Sequence, residues 1–383
     1  MSKQKNNFHI ILENEDKSNN GSNEEELIIK YIKEMKNEEK RMSSIKNLAK
    51  FCEKNTNLAI YLWYTRGTVA SILQEIIKVY QYLSPSKLTQ EISNEACAAI
   101  SLFQCLASHK DTRHKFIESR MPIFLFPFLC NTYKSNPFEY IKLTTLGVFG
   151  ALVKVDDSKV ISFLVENEIF PICLRILDRG TELSRCVASF IVLRISLNDE
   201  GYKYIFEKEQ RLYLIVQFLG SALKCKISPR ILKYILRIFA RLSENKKTRS
   251  ILKNILPEEI KNNKFFSVLD DSSKKWVKIL RKNLEENDSE INQKIEKLKN
   301  DLTIKNVNTT NDKNLNNINQ NKINNFNSGM MINNNNMNVN LMLNNQINLL
   351  QHKFMVPPNY GEINYYNGNN NYMNEYNMNF SNS

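Results

Sequence analysis

Apolar residues along the middle of the chain recur at steps of three and four positions, which is the period of an amphipathic helix rather than a strand. One such stripe covers Thr68–Tyr82 and another covers Phe138–Val153. Helix starts are marked at Asp157-Ser158 and at Ser228-Pro229, where a capping residue precedes the first turn. Only 10 glycines occur in 383 residues, and Asn-Gly turns are absent from this region. The pattern predicts an all-α body.

The same order of elements returns several times: a long apolar helix, a polar turn, a short helix and a further apolar helix. The apolar residues that open the polar turns are Leu106, Leu152, Ile195 and Leu242, at separations of 46, 43 and 47 residues. Periods of roughly 40–47 residues with two or three helices per unit are typical of armadillo and HEAT repeats. Stacking buries a continuous core and leaves a concave groove. We expect Phe138–Val153, Thr181–Leu197 and Ser228–Leu242 to line it.

Composition changes at both ends of this helical body. We divide the chain into a polar tail (1–23), an armadillo-type repeat domain (24–288), a charged helical extension or linker (289–305) and an asparagine-rich low-complexity tail (306–383). The tails hold too little apolar area to offset their ordering entropy, so we expect them to be disordered. Asparagine-rich segments with spaced tyrosines also self-associate, and a solvated tail without a dedicated role is the alternative.

The net charge of +13 lies on residues 25–302, because the flanking segments 1–24 and 303–383 carry −1 and +1. A basic body between near-neutral tails favours an acidic protein or a polyanion as partner. The longest apolar run, Met121 to Cys130, is far shorter than the roughly 20 residues of a membrane span, so we expect no membrane association. The N-terminus lacks the apolar core of a secretory signal. Seven scattered cysteines indicate free thiols in the cytoplasm or nucleus.

Motifs for catalysis are missing from the sequence. It holds no glycine-rich phosphate loop, His-Glu-x-x-His pair, nucleophile elbow or paired Cys-x-x-Cys, so we expect neither enzymatic activity nor a cofactor. The best metal ligands are Cys105, His109 and His114, but zinc needs three or four ligands in tetrahedral geometry. A buried thiol with two surface histidines is the simpler interpretation, and we expect no metal site. Acidic pairs such as Asp156-Asp157 fall at helix starts, where they complement the helix dipole.

A basic stripe follows the predicted helix Ser228–Leu242. Its members share one helical face at offsets of 0, 3, 7 and 11, and they are Arg230, Lys233, Arg237 and Arg241. Lys247 and Arg249 extend the charge past the next turn, and Arg211 approaches from the preceding unit. The stripe fits the phosphates of a nucleic acid or an acidic peptide. A solvated face with arginines that cap neighbouring helix ends is the third alternative, and all three stay open.

Two further places are candidates for binding. Trp63 and Tyr64 close a short helix before Gly67, and we expect Trp63 in the core and Tyr64, beside Arg66, at a docking edge. Tyr140, Thr144 and Gly147 share a helix face, since they are four and three positions apart. A glycine inside a helix costs roughly 1 kcal/mol relative to alanine. We therefore expect close approach at Gly147, by a neighbouring helix or by a ligand helix.

Five blocks of the body form a recognisable pattern. They are the run from Trp63 to Ile76, LFQCLASHKDTRHKFIESRMPIFLFPFL, NPFEYIKLTTLGVFGALVK, FPICLRILDRGTELSR and KKWVKILRKNL. This pattern, over about residues 25–285, resembles the "required for cell differentiation" family, the armadillo-type, RQCD-like subunit of the CCR–NOT mRNA deadenylase complex. The resemblance implies about six repeats without catalytic activity. It also implies an adaptor that binds the NOT scaffold and recruits regulators, so that bound mRNAs lose their poly(A) tails and are repressed and degraded in cytoplasmic processing bodies.

The resemblance also implies site residues by matching position. Scaffold-facing residues are Tyr64, Arg66, Ala70 and Ile77, where the family usually has histidine and phenylalanine at the first two. The groove for short helical peptides matches at Tyr140 and Gly147. The tryptophan pockets of animal members match at Pro171, Leu183 and Arg211, with Glu209 in place of the usual tyrosine. The basic groove associated with nucleic acid matches at Arg230, Arg237, Arg241, Lys247 and Arg249.

The implied partners are the NOT scaffold subunit and short helical or tryptophan-containing peptides of RNA-binding regulators. A homodimer and weak binding of single-stranded nucleic acid stay open as further interactions.

Overall fold

The computed structural model describes residues 23–224, 227–261 and 269–285, and their regular elements are all helical. The predicted tails, apart from Asn23, and the predicted extension 289–305 lie outside these residues. The all-α prediction is therefore confirmed for the part of the chain that the structure describes.

Sixteen named helices and a further one over 271–285 follow one another. They are α1 Asn23–Glu34, α2 Glu38–Ala49, α3 Leu58–Tyr64, α4 Thr68–Lys78, α5 Gln90–Ser108, α6 Lys110–Glu118, α7 Phe126–Cys130, α8 Asn136–Leu152, α9 Ser158–Glu166, α10 Ile169–Arg179, α11 Glu182–Leu197, α12 Asp199–Glu207, α13 Glu209–Lys224, α14 Pro229–Leu242, α15 Lys246–Ile255, α16 Glu258–Lys261 and α17 271–285. Short 3₁₀ turns cover Val79–Tyr82 and Met121–Leu125.

The helices form six successive groups, each of which ends in a helix of one continuous row. This inner row consists of α2, α5, α8, α11, α14 and α17. Neighbours from α2 to α14 pack directly on each other, and α17 joins through Asn283, whose Nδ2 donates to Ser243 Oγ at 2.9 Å. In a stack of armadillo-type units such a row lines the concave side. The predicted groove helices α8, α11 and α14 all belong to it.

The predicted repeat is visible in the burial pattern. Leu106, Leu152, Ile195 and Leu242 end four helices of the inner row or lie in their last turn, and each side chain is 0% exposed. They belong to one apolar core that runs through the stack. The approximately 45-residue spacing therefore reflects equivalent positions in successive units.

The polar turns satisfy the carbonyl groups that each helix leaves unpaired at its end. After α5, Thr112 Oγ1 donates to Leu106 O at 2.7 Å, and Arg113 Nε donates to Ala107 O at 3.0 Å. After α14, Thr248 Oγ1 donates to Leu242 O at 2.8 Å in the same way. Thr112-Arg113 and Thr248-Arg249 thus each donate to the carbonyl groups six residues earlier, and this recurrence supports a common repeat.

Both predicted helix starts are confirmed in position, and one of them has the predicted capping hydrogen bonds. Asp157 caps α9 by accepting hydrogen bonds from the backbone N–H of Lys159 at 3.0 Å and of Val160 at 3.4 Å. Ser228 precedes α14 as predicted, but its side chain makes no capping hydrogen bond. The first-turn Pro229 reduces the need for one, because its nitrogen carries no hydrogen that must be satisfied.

Candidate binding surfaces of the helical repeat

An uncharged section of the inner row lies on α8. Tyr140 is 49% exposed and Thr144 and Gly147 are half-buried on the same helix face. Thr144 Oγ1 donates to Tyr140 O at 2.9 Å and lies 3.3 Å from the Sγ of Cys97 on α5. Burial raises the pKa of Cys97, so this thiol is neutral. The polar groups of this section, such as the Thr144 hydroxyl and the Cys97 thiol, are therefore uncharged.

The close approach predicted at Gly147 comes from a side chain of α5. A Cβ atom at Gly147 would lie 2.8 Å from Oε1 of Gln104, which is the far end of a flexible side chain. Gln104 is only half-buried, so it has room to turn away. The close approach seen here is therefore that of the neighbouring helix α5, and approach by a ligand helix stays a prediction.

Leu183, in the first turn of the neighbouring helix α11, is a further exposed apolar residue. It is 65% exposed, the largest fraction among the large apolar side chains that the structure describes. Its neighbour Ser184 donates to Glu139 of α8 at 3.4 Å, which holds the starts of α8 and α11 together. Glu139 also pairs with Lys142 at 2.7 Å, and this pair is almost buried. We call the section formed by Tyr140, Thr144, Gly147 and Leu183 the α8 groove.

The basic end of the inner row centres on Arg237 of α14. Its guanidinium lies 5.1 Å from the ring centre of Trp276, and its buried Nε has no hydrogen-bond partner among the described residues. Burial lowers the pKa of Arg237, and the neighbouring positive charge of Arg194 lowers it further. Two arginines that repel one another form a place where an anion is favourable. Arg194 carries no signal for this role in the sequence, since only the fold brings it close to Arg237.

The other members of the basic stripe mostly have acidic partners. Lys233 pairs with Asp270 at 3.2 Å, and Arg241 pairs with Asp199 at 2.9 Å and with Glu244. Arg241 also stacks over the ring of Tyr202 at 4.3 Å. Arg230 is exposed and has no such partner among the described residues. Charge available to a ligand is therefore concentrated at Arg230 and Arg237.

Arg249 caps the end of a helix, which is one of the three roles that the sequence left open for the basic stripe. It is 7% exposed, and its Nε donates to Ser243 O at 2.8 Å at the end of α14. This buried arginine caps a helix, and we therefore leave it out of the contact surface that the sequence suggested. The side chain of Lys247 lies outside the described part of the structure.

The predicted scaffold edge is formed by α3, α4 and the turn between them. Arg66 and Ala70 are exposed, and Ile77 is 38% exposed two helical turns after Ala70. Tyr64 is half-buried, and Lys115 Nζ lies 5.7 Å from its ring centre. Gly67 adopts φ of 85°, which lets the chain reverse between the two helices. Arg66, Ala70 and Ile77 are thus exposed on and just before α4, whereas Tyr64 is partly covered by Lys115.

Phe124 enlarges this edge, and sequence analysis missed it. It is 38% exposed in the 3₁₀ turn Met121–Leu125, which packs against α4. The Tyr80 hydroxyl donates to the carbonyl of Phe124 and fixes the turn. The two prolines of the apolar run Met121–Cys130, Pro122 and Pro127, are a sequence signal for a turn at this place.

A buried ion cluster holds the inner side of α4. Glu75 is 8% exposed and pairs with Arg41 at 3.3 Å and with Lys78 at 2.9 Å. Its hydrogen bond raises the pKa of Lys78. Because a buried carboxylate needs such partners, the cluster fixes the orientation of α4 and so of its exposed face.

The candidate tryptophan-pocket residues lie in two places. Pro171 is buried in the first turn of α10, and Leu183 begins α11 beyond the other end of α10, about 12 Å further along the axis at 1.5 Å per residue. Arg211 stacks on Tyr204 at 3.6 Å and pairs with Glu207 at 2.8 Å. Tyr204 contacts Phe170 with ring centres 5.9 Å apart, so Arg211 belongs to the Pro171 end.

The three candidate metal ligands have other contacts. Cys105 is 8% exposed, His109 Nδ1 accepts from the backbone of Asp111, and His114 Nε2 lies 2.5 Å from Asp157. Within the described ranges, no group of three or more His, Cys, Asp or Glu side chains is placed to hold a metal ion. None of the helices described is long and apolar enough to cross a bilayer.

Stacked helical units with a continuous inner row define an armadillo-type solenoid protein. Two designed armadillo repeat proteins have this fold: one, solved with the peptide (KR)4, matches with a TM-score of 0.51 at 14% identity over 68% of this chain and 99% of its own. The other, designed for modular peptide recognition, matches with a TM-score of 0.51 at 12% identity over 66% and 98%. Such low identity establishes the fold alone.

The sequence model of the Rcd1-like cell differentiation family matches residues 31–284, and the chain belongs to this family. The cell differentiation protein rcd1 of Schizosaccharomyces pombe is 40% identical over 248 residues, which cover 64% of this chain and 88% of that protein. Protein CAF40 of Saccharomyces cerevisiae is 44% identical over 223 residues, which cover 57% and 60%. The resemblance to the RQCD-like subunits of the CCR–NOT complex is thereby confirmed.

Proposed function

We propose that this protein is a non-enzymatic adaptor of the CCR–NOT mRNA deadenylase complex. Its α3–α4 edge binds the NOT scaffold, and its inner row receives segments of regulatory proteins, so that bound mRNAs are deadenylated, repressed and degraded in the cytoplasm. The observation that carries the proposal is the exposed face of Ala70 and Ile77 on α4, which the ion pairs of the buried Glu75 hold in place, beside exposed Phe124 in the 3₁₀ turn that packs against α4. Large apolar side chains at a fixed edge are typical of protein interfaces.

The α8 groove supports the recruiting role. A short amphipathic helix binds such a groove through apolar anchors at i, i+3 or i+4, and i+7. Tyr140 and Leu183 offer exposed apolar surface for these anchors, while Gly147 permits close backbone approach.

A binding measurement between the purified chain and a purified NOT scaffold segment tests the scaffold role. We expect Ile77→Asp to weaken binding at least about 30-fold, because an interface anchor contributes roughly 2 kcal/mol or more. Val155→Asp is the matched control, since Val155 is another exposed apolar residue, 47% exposed, in the turn after α8. Equal loss in both variants, or no loss with Ile77→Asp, would refute the assignment of this edge.

Direct binding of single-stranded nucleic acid is a second candidate function, favoured by the paired positive charges of Arg194 and Arg237. Affinity should then fall with salt at a slope near −0.7 per phosphate contacted. Arg230→Glu with Arg237→Glu should abolish it, whereas Lys203→Glu, an exposed lysine on α12, should have little effect. Binding that ignores the double change would dismiss this function.

A further inference from the structure

One segment of the C-terminal region departs from its asparagine-rich surroundings. Apolar residues occur in it at steps of four, four, three and four positions, and they are Val339, Leu343, Ile347, Leu350 and Phe354. At about 100° per residue these five positions share one face of a helix. The segment lies outside the described residues, and this pattern is a property of its sequence.

Its boundaries also suit a helical ligand. Asn333–Asn336 precedes the segment and Pro357-Pro358 follows it, and a helix normally ends before proline. The segment 339–356 contains no Asp or Glu and one lysine, Lys353. Without a carboxylate, such a peptide cannot pair with the arginines of α14. Its low charge is instead compatible with the uncharged α8 groove.

The dimensions of groove and segment agree. A helix of 16 residues, the length of 339–354, would be about 24 Å long, and the 17 residues of α8 span about 25 Å. Tyr140 and Leu183, 49% and 65% exposed, offer apolar contact surface to the apolar side chains of such a segment.

The linker allows the same chain to reach its own groove. α17 is three steps along the inner row from α8, which is about 27 Å at 8–10 Å per helix. If 289–305 forms the predicted helical extension it spans about 25 Å, and the other residues of 286–338 span about 30–36 Å root-mean-square as a random coil, so the linker is long enough. A tether whose length matches the span gives an effective concentration on the order of 1 mM.

We propose that segment 339–356 docks as an amphipathic helix in the α8 groove of its own chain. This rests on the proposed function in one respect: the groove is the one that regulators would use, so the tail competes with them. A regulator must then displace the tail. For a segment with an intrinsic Kd of about 100 μM, the tether raises the apparent Kd of a competitor about elevenfold.

Backbone hydrogen exchange of the full-length chain tests the docking. We expect amides of 343–354 to exchange about tenfold more slowly than in the isolated synthetic peptide 339–356, at every protein concentration. Leu343→Asp with Leu350→Asp should remove this protection, and these changes cannot unfold the repeat body. Leu341→Asp with Leu349→Asp, on the other side of the segment, is the matched control and should retain protection.

Gly147→Trp in α8 should remove the protection as well. That loss would show that the tail segment binds in the α8 groove. The proposal is overturned if the wild-type segment exchanges like the free peptide or if protection survives Gly147→Trp. It is equally overturned if protection appears only at high protein concentration, which would mean docking on a second copy. Scaffold binding at the α3–α4 edge is measured separately, so failure of the adaptor role and failure of tail docking give different results.

Discussion

Two glycines of the solenoid should respond in opposite ways to alanine. Helix propensity alone favours alanine by up to about 1 kcal/mol. At Gly147 the new Cβ meets only Oε1 of Gln104, at 2.8 Å, and this side chain can rotate. At Gly201 in α12 the Cβ would lie 2.0 Å from the backbone oxygen of Ile195. That atom moves only if the junction between α11 and α12 moves with it.

The difference in contacts sets the expected magnitudes. Gly147→Ala should change the free energy of unfolding by between zero and about 1 kcal/mol in the stabilising direction. Gly201→Ala should destabilise by about 2–3 kcal/mol, since overpacking costs of this size exceed the gain in helix propensity. Urea unfolding followed by circular dichroism, with unchanged m-values, measures both.

The result bears on why Gly147 is a glycine. If it served only helix packing, alanine would destabilise the protein by more than about 1 kcal/mol. That outcome would refute the argument that the α8 face is kept accessible to a ligand. If Gly201→Ala were neutral, the assigned geometry of the α11–α12 junction would be wrong.

Three other changes test the account of stability. Thr112→Val removes the buried hydrogen bond to Leu106 O and should cost about 1–2 kcal/mol, whereas Thr132→Val at an exposed site should cost nearly nothing in the same urea titration. Glu75→Gln weakens the ion cluster beneath α4 and should destabilise by about 2 kcal/mol and weaken scaffold binding, which calorimetry measures. For Asp157, burial would raise the pKa of the carboxyl, but the hydrogen bond and charge of His114 and the α9 backbone N–H groups lower it overall. Its carboxylate therefore stabilises the fold above the unfolded pKa of about 3.9 and loses this effect as pH falls through the lower folded pKa. Asp157→Asn should then be destabilising at pH 7 and nearly neutral near pH 2, and an equal cost at both pH values would contradict the assignment.

The repeat architecture follows from local signals and was predictable. Leu106, Leu152, Ile195 and Leu242 mark equivalent positions because each helix must bury one apolar face, and that need appears directly as periodicity. Asp157 as a helix cap was equally predictable, since capping depends on neighbours two and three residues away.

Contacts between units were less accessible from the sequence. Arg249 has the same residue type and spacing as a ligand-binding arginine, yet it caps α14, and only its burial distinguishes the two roles. Arg194 and Arg237 are 43 positions apart, so their repulsion depends on the packing of α11 on α14. Phe124 resembles a core residue in an apolar run, and the 3₁₀ turn that exposes it depends on contact with α4.

Affinity purification of the tagged full-length chain from its own cells, followed by mass spectrometry, tests the adaptor role most directly. We predict that the NOT scaffold and a deadenylase subunit co-purify with the wild-type chain and with Val155→Asp, and that both are lost with Ile77→Asp. Recovery of the chain without any such subunit, or equal recovery with Ile77→Asp, would contradict the account.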